Sequence, residues 1–322
     1  MLTTQTRALA TGLFLAGFVS AHAHAGDLTR IEVPGTTAYP ESIAAAADGT
    51  LYAGSLASGG IVAIKPGATK AEPFIAPGAF GSRSTFGLLV DDKSGLLWVC
   101  SNDVSGLGIA GPGNATGSHL IAFDIKTGEG KIDAAFPAGP ALCNDLAIDA
   151  DGSIYVTNSL APQILRLAKG SNKLEVWHED PQWTPPEKGP GLDGIATGGD
   201  GNIYVNTYIK GELFRLDVKD GKGGKVTKLS TSRPLVQADG LRTLSGTTFL
   251  MAEGGGTVDR VTISGDAATI ETLKDGLADP TGVALVNGQL YITEGQLSHL
   301  FAAATKGPPS LPFYVTAVPF KN

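Results

Sequence analysis

Along most of the chain a short apolar run opens on a polar or small pair, breaks at a Gly or Asp-Gly type turn, and resumes as a second apolar run. Asn144-Asp145-Leu146-Ala147 passes Asp151-Gly152 to Ile154-Tyr155-Val156-Thr157, and Asp193-Gly194-Ile195-Ala196 passes Asp200-Gly201 to Ile203-Tyr204-Val205-Asn206. Asp-Gly and Asn-Gly between two such runs are strong hairpin signals. Six units of this kind open at residues 41, 86, 144, 193, 239 and 281, at intervals of 45, 58, 49, 46 and 42 residues. That spacing surrounds the ~40–50 residues of one four-stranded propeller blade. A third run, such as Ile164-Leu165-Arg166-Leu167, and a weaker fourth, such as Lys173 to Trp177, complete a unit. The pattern predicts an all-β fold, a six-bladed β-propeller of four-stranded antiparallel blades, closed into a ring that protects its strand edges. Ile31-Glu32-Val33 and Tyr314 to Val318 lie outside the six units, and one of them is expected to complete blade 6.

The first residues read differently. Arg7 precedes an apolar stretch from Ala8 to Val19, followed by Ala21-His22-Ala23-His24-Ala25 with its overlapping Ala-x-Ala sites. The stretch is shorter than the ~20 residues that span a bilayer, so residues 1–25 are expected to be a signal peptide cleaved near Ala25. Residues 26–322 then form a single propeller domain that is exported, periplasmic or secreted, with no membrane attachment. Composition agrees with small strands: Gly is abundant at 44 residues and charged residues make up only 17%. A net charge of −7 argues against nucleic acid as a partner. A monomer acting on a small molecule is the expected form.

In a propeller the first strand of each blade lines the central channel, and all six start from one face. The opening residues Glu41, Phe86, Asn144, Asp193, Asp239 and Thr281 therefore form a ring around one mouth. Three carboxylates and an amide make an oxygen-only ligand set suited to Ca²⁺ or Mg²⁺. The bland alternative is that Asn and Asp begin strands because they suit turns. Two inserts, residues 103–117 and 179–191, are expected to overhang the ring, the first as a mobile lid and the second carrying Trp183. The two cysteines, Cys100 and Cys143, fall near the same face in neighbouring blades. They are a candidate disulfide, with buried free thiols as the alternative.

Through Pro40-Glu41-Ser42, Asn144-Asp145, Asp193-Gly194 and Asp239-Gly240 the chain resembles the regucalcin/gluconolactonase-like propellers, also described as the senescence marker protein/gluconolactonase/luciferin-regenerating-enzyme-like family. The resemblance implies that Glu41, Asn144, Asp193 and Asp239 hold one divalent cation, calcium first, with Mg²⁺ or Zn²⁺ as substitutes. It also implies that Asp239 is the catalytic base or nucleophile of an ester-type hydrolysis. Asp193 stands where the family usually has Asn. Leu142 and Cys143 occupy the stretch where the sugar-lactone enzymes carry an Arg, which weakens the case for a sugar acid. His119, His178 and His299 lie in or beside outer strands, away from the channel positions a histidine mechanism needs.

These features point to a metal-dependent hydrolase of a lactone or related ester. Phe86, Trp183 and Thr281 are the candidate substrate contacts, the aromatics favouring a more apolar substrate. The competing reading is a non-catalytic propeller that binds a ligand or protein, with a structural metal or none. Strictosidine-synthase-like propellers, which need no metal, are disfavoured by the number of carboxylates.

Overall fold

A computed structural model describes residues 28–320. The expected signal peptide lies outside the described residues. The chain forms six antiparallel sheets arranged as blades. Blade 1 runs Pro40–Ala45, Leu51–Ser55, Ile61–Ile64 and Glu72–Ile75, and blades 2, 3 and 4 repeat that order from Ser84–Asp91, Cys143–Ile148 and Leu192–Thr197. Blade 5 opens at Ala238–Ser245 and carries a short extra strand, Ser230–Thr231, paired parallel to its outer edge.

Blade 6 closes the ring with both ends of the chain. Pro280–Val286 and Gln289–Glu294 are followed by Phe313–Pro319 as third strand, and Thr29–Val33 pairs antiparallel with that strand as the fourth. One terminal strand was expected at this edge; the structure uses both. Two short helices, Leu297–Phe301 and Ala303–Lys306, fill the interval between its second and third strands. Among the described residues no helix is long and apolar enough to cross a membrane.

The core lies between blades rather than in one central mass. Leu88, Leu97, Val99, Ile121 and Phe123 of blade 2 pack on Ala44, Tyr52 and Ile61 of blade 1, and similar clusters join the other pairs. Alternation along each strand sends apolar side chains to both faces, because each sheet is covered by a neighbour on either side. Cys100 and Cys143 form a disulfide across a sequence separation of 43, joining the second strand of blade 2 to the first strand of blade 3. In the chain-entropy account a loop of that length contributes about 4 kcal/mol to stability.

Every first strand is irregular where it begins. The register breaks between Pro40 and Ile43, Thr85 and Leu88, Cys143 and Leu146, Leu192 and Ile195, Ala238 and Leu241, and Pro280 and Gly282. The break releases each ring residue from the ladder at the axis, together with its successor in every blade but the sixth, where Gly282 stays paired with Thr293. A Cβ added to Gly87 would fall 2.2 Å from the Asn144 carbonyl oxygen, and one on Gly194 would fall 2.3 Å from that of Asp239. The glycine after these ring residues is therefore required by the next blade as much as by any turn.

Candidate functional site

The bulges turn the opening side chains toward the channel. Glu41, Asn144, Asp239 and Thr281 line one tight cleft at the axis, together with Ser42, Gly87, Asp145 and Gly240. Asp193 joins the group through Asn144, whose Nδ2 donates to Asp193 Oδ2 at 3.0 Å and to Ser159 Oγ at 2.8 Å. Both amide hydrogens are thus committed, and Oδ1 is what Asn144 has left to offer a ligand. Glu41, Asp193 and Asp239 are only 4%, 3% and 5% exposed. Glu41 Oε2, Asp193 Oδ1 and Asp145 Oδ1 are buried without a hydrogen-bond partner.

Burial pushes the Glu41 carboxyl well above the usual carboxylate range, and the charges of Asp193 and Asp145 add to this while Arg242 opposes it. Asp193 and Asp239 are raised in the same direction, first by burial and then by neighbouring carboxylates, with a hydrogen bond between the two drawing Asp193 back. The sign of the consequence follows by linkage. A carboxyl with a raised pKa in the folded state stabilises that state fully below pH ~4, and the benefit is lost as pH rises through the folded pKa. Without divalent cations the melting temperature should therefore fall between about pH 5 and 8. A cation that binds the ionised ring should restore it, most strongly at the upper end. Thermal melts in chelator and in calcium check this, and a flat profile in chelator would contradict the raised titration of these three buried carboxyls.

Arg242 lies beneath the ring. Its Nη1 reaches Asp145 Oδ2 at 2.6 Å, and its Nη2 approaches the Leu88 carbonyl at 3.3 Å and Ser42 Oγ at 3.4 Å. One side chain from blade 5 thereby ties blades 1, 2 and 3 across the channel. Asp145 also accepts from Ile195 N at 3.3 Å. Neither residue was singled out from sequence. The signal was available, since both directly follow or closely trail ring positions, but their meeting requires ring closure.

The substrate contacts expected from sequence are placed differently. Trp183 is 0% exposed, packed with Ile164, Leu192 and Phe214 and edge-on to His178 at 5.6 Å. It anchors its insert to the core and does not overhang the mouth, because the short helical turn Pro181–Trp183 directs the indole inward. Phe86 is buried in an apolar cluster with Tyr39, Leu56 and Val104. Thr281 reaches the cavity, but its hydroxyl already bonds Pro40 O at 3.0 Å and meets Thr293 Oγ1 at 3.0 Å. The insert 103–117 is tied down by Arg83, which pairs with Asp103 at 3.1 Å and donates to the carbonyls of Ala115 and Ala110.

Tyr208, absent from the expected set, lies on the face of the ring, in the turn after Ile203–Thr207, and accepts from Gln237 Nε2 at 2.9 Å. Burial, and after it the charges of Asp239, Asp193, Asp279 and Glu41, push its phenol far above the usual range. The histidines stay outside: His119 pairs with Asp133 at 2.6 Å in an outer strand, and His299 sits in a helix against the Gly307 carbonyl.

The donor chemistry suits a hard cation, and unpartnered carboxylate oxygens are what such an ion would satisfy. The cage is not ready-made: among the described residues no three His, Cys, Asp or Glu side chains stand as a group able to hold a metal ion. Ligation would require the carboxylates to draw together. A larger cavity, about 650 Å³, lies on the opposite face between the turns of blades 2 and 3, remote from these groups.

The strictosidine synthase-like N-terminal family matches at residues 26–64, which span the blade 6 outer strand and the first three strands of blade 1. No curated protein matches the chain. Among solved structures, a gluconolactonase of Xanthomonas campestris is similar at 16% identity and a TM-score of 0.65, covering 95% of this chain and 94% of that one. The major allergen Mala s 1 of Malassezia sympodialis gives 15% identity and a TM-score of 0.67, over 92% and 96%. Virginiamycin B lyase of Staphylococcus aureus gives 13% and 0.60, over 92% and 99%. A lactonase, an allergen and a lyase share one frame at these identities, so the likeness is one of architecture. By fold, the chain is a six-bladed propeller of the kind found in gluconolactonases.

Proposed function

We propose that this protein is an exported hydrolase of a lactone or related ester that depends on a divalent cation, calcium by its donor set. The observation that carries the reading is the convergence of Glu41, Asn144 and Asp239 on one buried axial cleft, with Asp193 bonded to Asn144 behind it and with Glu41 Oε2 and Asp193 Oδ1 left unpartnered. The carboxylates of Glu41, Asp193 and Asp239 repel one another, and Arg242, the cation nearest to them, is already engaged with Asp145. Glu41, Asn144, Asp193 and Asp239 would hold the ion. When bound, the ion would polarise the substrate carbonyl and offset charge on the tetrahedral intermediate.

The protein's own part falls to Asp239. Its carboxylate takes a proton from water, whose oxygen bonds to the carbonyl carbon. The ring C–O bond then breaks, and the proton passes to the departing oxygen. Lactone and water thereby give a hydroxy acid without change of oxidation state. Burial makes this carboxylate a stronger base than a free aspartate in the cation-free protein. The axial cleft has no room for substrate, which would sit above the ring. The Cys100–Cys143 disulfide supports an oxidising compartment.

A second reading, a propeller that binds a ligand or protein without turnover, is favoured by the spacing of the ring groups, since no ready-made cage stands among the described residues. One experiment separates the two: calcium titration by calorimetry on the mature protein, with a lactone panel assayed in calcium and in chelator. Binding near one to one with calcium-dependent hydrolysis is expected. Binding without turnover would make the metal structural, and no binding of calcium or magnesium would reduce the ring to turn chemistry.

A further inference from the structure

A role for Tyr208 rests on the hydrolase reading and deepens it. The residue lies in the turn between the second and third strands of blade 4, Ile203–Thr207 and Glu212–Lys219, on the same face as the ring. Three contacts hold that turn against the neighbouring insert. Tyr208 N donates to the Gly191 carbonyl at 2.9 Å, and Lys210 Nζ donates to the Thr184 carbonyl at 2.8 Å. Ile209 covers Gly189, where an added Cβ would lie 2.9 Å from Ile209 Cγ1. The insert thus buttresses the turn that carries Tyr208, which explains what its buried Trp183 anchor is for.

From this turn the phenol reaches across to blade 5. Gln237 Nε2 donates to the Tyr208 oxygen at 2.9 Å, and a Cβ at Gly254 would come within 3.3 Å of that oxygen, so glycine leaves it room. Gln237 stands two residues before Asp239 and adopts a left-handed backbone with φ of 56°. The hydroxyl oxygen is therefore fixed as an acceptor from Gln237, and its proton is given to no acceptor among the described residues. The charged groups facing it are Asp239, Asp193, Asp279 and Glu41. A phenol titrates at about pH 10 in the ordinary case, so the hydroxyl keeps its proton and remains a donor at neutral pH.

We propose that Tyr208 is a catalytic hydrogen-bond donor that meets the carbonyl oxygen of a substrate seated above Asp239. As water oxygen bonds to the carbonyl carbon, the π pair moves onto the carbonyl oxygen, and the O–H···O bond strengthens. The proton stays on Tyr208. When the ring C–O bond breaks the pair returns and rebuilds the carbonyl. Because the bond is stronger at the oxyanion than at the ground-state carbonyl, its loss falls on kcat.

The test compares wild type, Tyr208→Phe and Gln237→Leu on the lactone that wild type hydrolyses best, with melting temperature and calcium affinity measured on each. Tyr208→Phe is expected to lower kcat by about 10²–10³-fold with KM within about threefold and with melting and calcium binding unchanged. Gln237→Leu, which releases the phenol from its anchor, should lower kcat in the same sense by a smaller factor. Wild-type kcat in Tyr208→Phe, or a change confined to KM, overturns the proposal. A wild type that hydrolyses no lactone overturns the hydrolase reading and this role with it, a result distinct from an active wild type beside an equally active variant.

Discussion

Asp239→Asn should lower lactone turnover by about 10²–10⁴-fold, the usual contribution of a positioned base, while making the cation-free protein more stable at pH 8. The two effects have one origin. Asp239 is buried among Asp193, Glu41 and Asp145, and each ionised neighbour raises the cost of its own charge. An amide of the same shape removes one charge from that group, so the folded state no longer resists deprotonation as strongly when pH rises. Each pH unit over which a carboxyl stays protonated only in the folded state costs about 1.4 kcal/mol at higher pH. The same amide cannot accept the proton of the attacking water and is a weaker ligand, so calcium affinity should fall as well. Turnover, melting at pH 8 in chelator and calorimetric affinity are read on one preparation. A variant that is inactive and also less stable at pH 8 would place Asp239 in the framework and leave the base unassigned.

Arg242→Ala should destabilise the fold by about 3–5 kcal/mol, the range for removing one partner of a buried ion pair. The guanidinium bonds Asp145 at 2.6 Å and touches blade 2 through the Leu88 carbonyl and blade 1 through Ser42. Its loss leaves the Asp145 charge buried and removes the cation that holds Glu41 down. Arg242→Lys should recover only part of the loss, because a single ammonium cannot span three blades as the planar fork does. Chemical denaturation measures both. A cost below about 1 kcal/mol would mean that the channel tolerates water in place of the plug.

Ring and plug were not equally legible. Glu41, Asn144, Asp193 and Asp239 could be picked out because each opens a repeat, so position in the unit predicts position in the ring, and the bulge at each opening turns them to the axis. Trp183 was misplaced because it lies in an insert outside the repeat, and nothing local distinguishes an aromatic that covers a site from one that anchors a loop. Phe86 holds a true ring position, yet its side chain packs among Tyr39, Leu56 and Val104, where burying an aromatic ring removes more apolar surface from water than the polar channel would. Tyr208 carried no signal at all: its meaning depends on Gln237, which lies 29 residues on in the next blade.

The sequence by itself determined the blade count, the strand order within each blade and the identity of the residues that open them, because hairpin turns and alternating runs are local and repeat. It also placed Cys100 and Cys143 near one face in neighbouring blades, and the structure joins them in a disulfide, the alternative to free thiols. Only the tertiary structure decided which end strand closes blade 6, and it used both, since the outer edge had two positions to fill. Closure alone brought Arg242 to Asp145, set Gly194 against the Asp239 carbonyl and carried Tyr208 to Gln237. These contacts join residues from different blades, and the distance between blades across the axis is a property of the ring rather than of any one repeat.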